Sequence, residues 1–370
     1  MKKSKILLLG KLPPPFIGPT IATDIILNSK LREEFDLIHL DTSDHRDINT
    51  LGAFDFWNFY LAVKHYLSLI WSIITRWPSI VYMPIGQTTI SYFRDAPFIL
   101  VAKVFRRKVI CHLRGGNFKN WYNSINYMSK YLVRHIHSLV DAQIVLGENL
   151  KYLFMGILPA NKIFVVPNGG DFCFYTEKNR DKNTPKILFL ANFIRTKGIL
   201  ETLYSVKEVF PYFPHAEFIF AGSWRDEKTK NIFISFCKEN PDFQIVVKGP
   251  VYGKEKFDLL NSSHIFVLPT YYPNEGHPWV IIEAMAAGLP IITTDQGAIS
   301  ESVVNGVNGF IVEKKNSDQI AEKVKYLLEH PDECARMGLA SRDMYFKNFT
   351  EEKMAAKMSQ CFHSVITNSQ

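Results

Sequence analysis

The sequence predicts two consecutive α/β lobes, each with a parallel sheet that helices cover on both faces. Three observations predict this fold class. Short β-rich runs alternate with helical stretches, a polar segment at residues 176–184 interrupts them, and the same alternation restarts at Lys186. The 370 residues leave room for two domains of about 100–200 residues each. We expect domains at residues 1–175 and 185–348, and then a C-terminal helix at 349–370 that the pattern assigns to neither lobe.

The first lobe contains six β-rich runs separated mostly by helical stretches. The runs occupy residues 5–10, 36–41, 79–84, 108–113, 142–147 and 163–167. Helical spacing extends over residues 20–34, 92–105 and 121–139. Because strands and helices alternate, the pattern predicts βαβ units and a parallel sheet.

Residues 56–77 form an unusual helical segment in this lobe. The polar positions Asn58, His65, Ser68, Ser72 and Thr75 lie on one stripe, and most other positions are apolar or aromatic. Such a helix can lie in the headgroup layer of a membrane. It can also pack into the lobe, which the lack of flanking lysine clusters favours. The two interpretations are compatible.

The second lobe repeats the alternation. Its β-rich runs occupy residues 186–191, 216–221, 243–247, 265–269, 290–294 and 309–312. Its helical stretches occupy residues 198–210, 228–239, 254–260, 279–287 and 318–329, and a last amphipathic helix covers 351–364. Ligands bind beyond the carboxyl ends of the strands in doubly wound sheets. With two lobes, we expect the site in the cleft between them.

Composition and charge limit the classes of protein. A chain that is 47% hydrophobic is not disordered as a whole. Residues 1–170 contain 20 Lys and Arg against 11 Asp and Glu, whereas residues 171–370 contain 23 against 25. A basic first half fits an anionic partner or a solvated basic surface. No clusters of basic and aromatic residues and no nucleic-acid-binding motif are recognisable, so we expect no nucleic acid.

The cysteines and the N-terminal segment predict a cytoplasmic protein. The five cysteines are scattered without a C-x-x-C pair, which argues against a zinc site and a disulfide framework. The apolar run at residues 6–9 is shorter than the roughly 7–15 residues of a secretory h-region. No run of 18 uncharged apolar residues is present to span a bilayer.

Two carboxylates mark the most informative segment. Glu275 precedes a helical run and Glu283 lies eight residues later within it. Eight helical residues rise about 12 Å, so the two acids can serve opposite ends of one ligand. Gly276 permits close backbone approach, and the helix that starts near Pro278 directs N–H groups at an anion. Taken alone, the same pattern also fits an ordinary helix N-terminus.

Two other loops fit a phosphate. Lys197 and Gly198 follow a strand and begin a helix, which combines a cation with a helix N-terminus. In the first lobe, three prolines and Gly18 follow strand one. Neither G-x-G-x-x-G nor a P-loop is present, so the loops predict neither a dinucleotide fingerprint nor a Walker site.

At these residues the chain resembles the retaining glycosyltransferases of family 4. Glu275 and Glu283 match the E-x7-E signature of that family, and residues 275–303 match the surrounding block nearly throughout. Further matches are Lys197-Gly198, residues 166–169, Gly297, Glu301 and residues 305–310. The resemblance is dense in the second lobe and sparse in the first.

The resemblance implies the GT-B fold, with two Rossmann-like lobes and a nucleotide-sugar donor held mostly by the second. By this analogy Glu283 binds the ribose hydroxyls and Lys197 binds the diphosphate. The backbone near Gly276 and His277 binds the phosphates. Glu275 contacts the donor sugar beside its anomeric carbon, and Lys197 and Glu275 are the catalytic pair.

The resemblance also implies that Gly18 approaches the diphosphate from the first lobe. No D-x-D sequence occurs in the chain to hold a divalent metal. We therefore expect no metal and no cofactor. Lys197 and helix dipoles would then stabilise the charge on the nucleoside diphosphate leaving group.

Three positions depart from the family pattern. The usual arginine five residues before the lysine is Asn192, and the nearby Arg195 is a candidate substitute. The acceptor-side histidine of the family falls at Arg114, with His112 two residues earlier on the same strand face. Pro278 lacks an N–H and removes one phosphate donor.

We therefore expect a retaining glycosyltransferase that transfers a sugar to an acceptor hydroxyl in bacterial surface-polysaccharide or lipopolysaccharide synthesis. The expected partners are a nucleotide-sugar donor and a glycan or lipid-linked acceptor, at the inner face of the plasma membrane. A sugar-nucleotide epimerase or phosphorylase on the same fold and a non-catalytic scaffold are the alternatives. The sequence does not identify the sugar, the base, the acceptor or the oligomeric state.

Overall fold

The computed structural model describes residues 3–43, 56–172, 180–181 and 183–367. The chain folds into two compact units, Met1–Gly170 with Glu351–Gln370, and Asp171–Thr350. Most of the predicted linker at residues 176–184 lies outside the described residues, as does Cys173.

The first unit contains a six-stranded, all-parallel sheet. Its strands are β1 (Ser4–Gly10), β2 (Phe35–Asp41), β3 (Ile80–Ile85), β4 (Lys108–Leu113), β5 (Ala142–Val145) and β6 (Ile163–Val165). Their order is β2-β1-β3-β4-β5-β6. The six predicted runs and the parallel sheet are confirmed.

The helices of the first unit differ from prediction at two places. They are α1 (Gly18–Asn28), α2 (Leu31–Glu34), α3 (Phe56–Arg76), α4 (Thr89–Val104), α5 (Phe118–Ser124), α6 (Tyr127–Ser138) and α13 (Glu351–Thr367). The predicted helix 20–34 divides at Ser29, whose backbone is extended. The predicted helix 121–139 divides because Ile125 is extended and the Asn126 side chain accepts a hydrogen bond from Ser129 N, which caps a new helix.

The C-terminal helix α13 belongs to the core of the first unit. Met354, Met358 and Phe362 are buried there with residues of β1, α1, β2 and β3. The Phe362 ring contacts those of Phe35 and Tyr82, with centroid distances of 5.4 and 6.1 Å. The chain therefore completes its first unit with its last helix, which the amphipathic pattern alone did not assign.

The second unit contains another six-stranded parallel sheet. Its strands are β7 (Lys186–Leu190), β8 (Glu217–Ala221), β9 (Ile245–Lys248), β10 (Ile265–Leu268), β11 (Ile291–Thr293) and β12 (Gly309–Ile311). Their order is β12-β11-β10-β7-β8-β9. All six predicted runs of this lobe are confirmed.

The helices of the second unit include one that the pattern did not predict. They are α7 (Ile199–Val209), α8 (Glu227–Glu239), α9 (Gly253–Ser262), α10 (Trp279–Ala286), α11 (Ser317–Glu329) and α12 (Pro331–Asn348). The unpredicted helix is α12, which buries only Met337, Gly338, Ser341 and Tyr345. Because two of these inward residues are small, α12 has a weak apolar periodicity.

The strand order of each sheet reverses at one point. The reversal lies between β1 and β3 in the first unit and between β7 and β10 in the second. Ligands of open parallel sheets bind beyond the carboxyl ends of the strands at such a point. A ligand site in the second unit is therefore expected at the loops after β7 and β10.

Candidate active site

Lys197 lies in the loop after β7. The segment Arg195–Lys197 forms a 3-10 turn that ends at Gly198, and α7 begins at the next residue. Gly198 has a left-handed φ of 82°, and a Cβ there would lie 2.4 Å from the Pro269 carbonyl oxygen. Only glycine fits both constraints. This glycine therefore brings the Lys197 turn against the chain that leaves β10.

Glu275 lies in the loop after β10 and pairs with Lys197. The Lys197 Nζ is 2.6 Å from Glu275 Oε2, and the side chains are 16% and 8% exposed. The Thr270 hydroxyl donates to the same carboxylate oxygen at 2.9 Å. The Lys197 ammonium also lies 5.1 Å from the centroid of the Tyr272 ring. The structure thus brings both predicted catalytic residues together at the strand reversal of the second unit.

The loop after β11 fixes the backbone beside Glu275. Gly297 has a φ of 63°, and a Cβ there would lie 2.3 Å from Gly276 O. Ala298 N donates to Gly276 O at 2.7 Å. The predicted phosphate-binding backbone at Gly276 is therefore held in place from one side.

The His277 side chain faces the interior of the unit. It is buried, its Nε2 lies 2.6 Å from Ser302 Oγ, and its ring packs on Phe349 at 5.2 Å. The imidazole is therefore engaged by contacts within the unit. The helix α10 begins at Trp279, directly after Pro278.

Glu283, on α10, pairs with a lysine that was not among the predicted site residues. The Lys256 Nζ on α9 is 2.6 Å from Glu283 Oε1, and Glu283 is almost fully buried. The other oxygen, Oε2, is buried without a hydrogen-bond partner among the described residues. Lys256 precedes Glu283 by 27 residues, so no local pattern indicates the pair.

Asn192 and Arg195 lie in the loop after β7. Both are exposed, unlike the buried Glu275 and Glu283. Arg195 lies beside the Tyr271 hydroxyl, which donates to Glu201 Oε1 at 3.2 Å. Burial, followed by the nearby Glu201 carboxylate, raises the pKa of Tyr271 to about 12. The second Glu201 oxygen is buried and unpartnered among the described residues.

The remaining predicted residues belong to the first unit. Gly18 is the first residue of α1, after the proline loop that follows β1. His112 lies near the end of β4 and is buried, with Nδ1 at 2.7 Å from the Tyr82 hydroxyl. The Arg114 guanidinium donates to the same hydroxyl and to Asn168 Oδ1, at 3.1 and 2.9 Å.

Burial determines the protonation of His112. It holds the pKa of the imidazole well below its usual range, and the Arg114 charge adds to the effect. The imidazole is therefore neutral near pH 7. The more exposed Arg114 is the member of this cluster that a ligand can reach more easily.

Among the described residues, no three His, Cys, Asp or Glu side chains form a group that could hold a metal ion. Within the same residues, no helix is both long and apolar enough to cross a membrane.

Residues 175–344 match the protein family described as glycosyl transferases group 1. The capsular polysaccharide biosynthesis glycosyltransferase CapM of Staphylococcus aureus is 26% identical over 264 residues, which are 66% of this chain and 67% of CapM. A diphospho-undecaprenol N-acetylgalactosaminyltransferase of Campylobacter jejuni is 28% identical over 53% of this chain and 48% of that protein. The chain thus spans two thirds of the first relative and about half of the second.

Solved structures with the same fold cover nearly the whole chain. Sucrose-phosphate synthase from Thermosynechococcus elongatus has a TM-score of 0.77 at 15% identity, and the match covers 99% of this chain and 100% of the synthase chain. HepE of Anabaena, solved with UDP and glucose, has a TM-score of 0.73 at 14% identity over 98% of this chain and 100% of its own. The two parallel sheets and these likenesses show the GT-B fold, and the group 1 match places a glycosyltransferase domain at residues 175–344.

Proposed function

We propose that the chain is a retaining glycosyltransferase of family 4 that takes its sugar from a nucleotide-sugar donor bound by the second unit. The Lys197–Glu275 pair at the reversal of the strand order carries the proposal. A buried ion pair is weak evidence for stability, because desolvation offsets its attraction. Its position at the ligand-binding end of the sheet is therefore better explained by function.

Lys197 and Glu275 have separate roles in this proposal. The nucleoside diphosphate gains negative charge as its bond to the sugar breaks, and the Lys197 ammonium and the N-terminus of α10 stabilise that charge. Glu275 contacts the sugar beside its anomeric carbon. Paired with each other, the two charges are neutralised, so neither is left buried and uncompensated.

Glu283 binds the ribose at the other end of the donor. A carboxylate with one paired and one unpartnered oxygen has acceptor capacity for a hydroxyl group. Supplying that hydrogen bond would satisfy a buried polar atom, which is energetically favourable. The backbone at Gly276 and His277 binds the phosphates, with Arg195 at the exposed edge.

We also propose that the reaction needs no metal ion, because the sequence lacks a D-x-D motif and supplies Lys197 for the diphosphate. Activity should then survive treatment with EDTA. Loss of activity in EDTA with recovery on adding magnesium would overturn this part of the proposal.

The acceptor is proposed to be a glycan or a lipid-linked glycan at the inner face of the plasma membrane, in a surface-polysaccharide or lipopolysaccharide pathway. CapM carries a capsular polysaccharide name and the Campylobacter enzyme an undecaprenol-linked one, which supports this class of acceptor. Gly18 and Arg114 are the residues proposed for the first unit.

A donor screen followed by product analysis tests the function. Because a ligand that binds only the folded state raises the thermal midpoint, thermal shifts across UDP-, GDP- and other nucleotide-sugars should identify the donor. The sugar of that labelled donor should then appear on an acceptor hydroxyl with its anomeric configuration retained. Label in an epimerised donor or a sugar phosphate would favour an epimerase or phosphorylase, and no nucleotide binding would favour a scaffold.

A further inference from the structure

The outward face of α3 is apolar. Val63, Leu67, Trp71 and Ile74 recur at spacings of four, four and three residues, so they lie on one face, and all are exposed. Leu67 is 61% exposed and Trp71 is 69% exposed. The opposite face packs into the unit through Leu69 and Ile73. Surface helices of soluble proteins usually have the reverse arrangement, with the polar face outward.

Two further helices extend this apolar surface. The connections β2–α3–β3, β3–α4–β4 and β4–α5–α6–β5 all run in one direction along the sheet, and right-handed crossovers place their helices on one side. α4 packs against both α3 and α6. The exposed apolar side chains on α4 and α6 include Leu100, Val104, Tyr127, Met128 and Tyr131.

The segment that forms this helical layer is strongly basic. Residues 56–140 contain 11 Lys and Arg and a single acid, Asp95. The basic residues are Lys64, Arg76, Arg94, Lys103, Arg106, Arg107, Lys108, Arg114, Lys119, Lys130 and Arg134. Asp95 is buried, where its carboxylate accepts hydrogen bonds from Gly86 N and the Arg94 side chain. Lys103 and Lys108 pair with Asp141, one residue beyond this segment. Lys64, Arg76, Arg106 and Arg134 are exposed, so the helical layer retains a positive charge.

We propose that the outward face of α3, α4 and α6 docks on the surface of an anionic lipid bilayer. Stable peripheral binding needs two signals. Here one is an apolar helical face that enters the headgroup region, and the other is a set of basic side chains that remain beside the lipid phosphates. Tryptophan, the residue type of Trp71 and Trp77, is enriched at the membrane–water interface. The Arg107 guanidinium lies 4.0 Å from the centroid of the Trp77 ring.

Charge and chemistry favour lipid over other occupants. A second copy of the chain would bring two cationic faces together, which costs free energy. A nucleic acid would meet the aliphatic side chains of Val63, Leu67 and Ile74, which offer no hydrogen bonds to bases. Anionic lipid matches both the apolar and the charged part of the surface.

The docking proposal rests on the proposed function only for its biological purpose, which is to bring the enzyme to a lipid-linked acceptor. The binding itself requires neither donor nor acceptor. A flotation assay with the whole chain therefore tests docking, while donor hydrolysis in the absence of lipid tests the proposed chemistry. A negative result in one assay therefore does not change the conclusion from the other.

The test compares two kinds of vesicle. The first contains phosphatidylethanolamine mixed with anionic phosphatidylglycerol, and the second contains phosphatidylcholine alone. The protein should float with the first and not with the second. The double variant Leu67→Gln/Trp71→Gln should reduce the partition coefficient roughly a hundredfold, because two large apolar side chains no longer enter the bilayer. Lys64→Gln/Arg106→Gln should reduce it roughly thirtyfold, and only at low salt.

Matched variants in the second unit control for general surface changes. Tyr212→Gln/Leu339→Gln removes two exposed apolar side chains, and Lys207→Gln/Lys238→Gln removes two exposed charges. Both should float as the unmodified protein does. All four variants should hydrolyse donor at the unmodified rate, which shows that they fold.

Three outcomes would overturn the proposal. The first is an absence of flotation with the anionic vesicles, or flotation that Leu67→Gln/Trp71→Gln leaves unchanged. The second is a dimer in solution that the same variant dissociates, which would assign the face to self-association. The third is binding to a single-stranded RNA that Lys64→Gln/Arg106→Gln abolishes, without any binding to vesicles.

Discussion

Both units contain a six-stranded parallel sheet whose order reverses once, but the side chains at the two reversals differ in kind. Beyond β7 and β10, the second unit places the buried Lys197–Glu275 pair. Beyond β1 and β3, the first unit places a proline loop that leads to Gly18, and Asp95, which accepts a hydrogen bond from Gly86 N. The shared topology supplies the location, and the residues there decide the chemistry.

The two units also use charge differently. The second unit is nearly balanced and pairs buried charges with each other, as in Lys256–Glu283. The first unit has an excess of basic residues and exposes apolar side chains beside them. This difference is what the two proposals require, with a small charged ligand at the second unit and a lipid surface at the first.

The largest effect should come from breaking the pair of the second unit. Lys197→Ala and Glu275→Gln should each reduce kcat about a hundredfold to a thousandfold, because each removes a group proposed to act on the charge or the sugar in the transition state. Steady-state kinetics measures the loss. Circular dichroism should show that the fold survives.

Lys254→Ala is the matched control, since it breaks the exposed Lys254–Asp258 pair of the same unit. Exposed pairs contribute little, so activity and stability should hardly change. Turnover near the unmodified rate in Lys197→Ala or Glu275→Gln would exclude the assigned roles.

A second prediction concerns the core of the first unit. Phe362→Ala should lower the free energy of unfolding of this unit by about 3 kcal/mol, because it leaves a cavity between α13 and the rings of Phe35 and Tyr82. Hydrogen exchange should show the loss in β1, β2 and β3 and not in β7–β12. Phe346→Ala, at an exposed ring of the second unit, is the control. Equal exchange in the two variants would contradict the placement of α13.

A third prediction sharpens the role of Lys256. Lys256→Met leaves the buried Glu283 without its cation, and the KM for the donor should rise roughly tenfold with little change in kcat. Lys256→Arg should restore most of the affinity. A purely structural role would instead lower the thermal midpoint and leave the KM unchanged.

The smallest effect is expected at the exposed edge of the loop after β7. Arg195→Ala should weaken donor binding severalfold, because an exposed cation contributes modestly to phosphate binding. Asn192→Ala should have less effect, since it removes no charge. Calorimetry of donor binding measures both variants. If neither changes the affinity, Arg195 does not replace the missing family arginine.

Local sequence patterns predicted the strands more accurately than the helices. All twelve predicted β-rich runs are strands, because a run of apolar, β-branched residues bounded by turn residues is a short-range signal. The helices failed where a local detail competed with periodicity, as at the Asn126 cap, or where small residues replaced large apolar ones, as in α12. The prediction of α3 as a helix is confirmed, and only the outward direction of its apolar face was unexpected.

The site shows the same contrast. The spacing of Glu275 and Glu283 and the Lys197-Gly198 turn are visible in the chain because each motif is local. Lys197 lies 78 residues from its partner and Lys256 lies 27 residues from its own, so these pairs depend on which strands are neighbours. Lys256 carries no signal of its own, since a lysine on an amphipathic helix usually faces solvent.

The sequence by itself determined the two sheets, the loops that end their strands and the residues that resemble a donor site, because these depend on neighbours along the chain. The tertiary structure decided which loops meet, which charges become buried together, that α13 packs into the first unit and that the apolar face of α3 points outward. Those features depend on the order of the strands and on the side chains packed against each helix, and neither is encoded within a single segment.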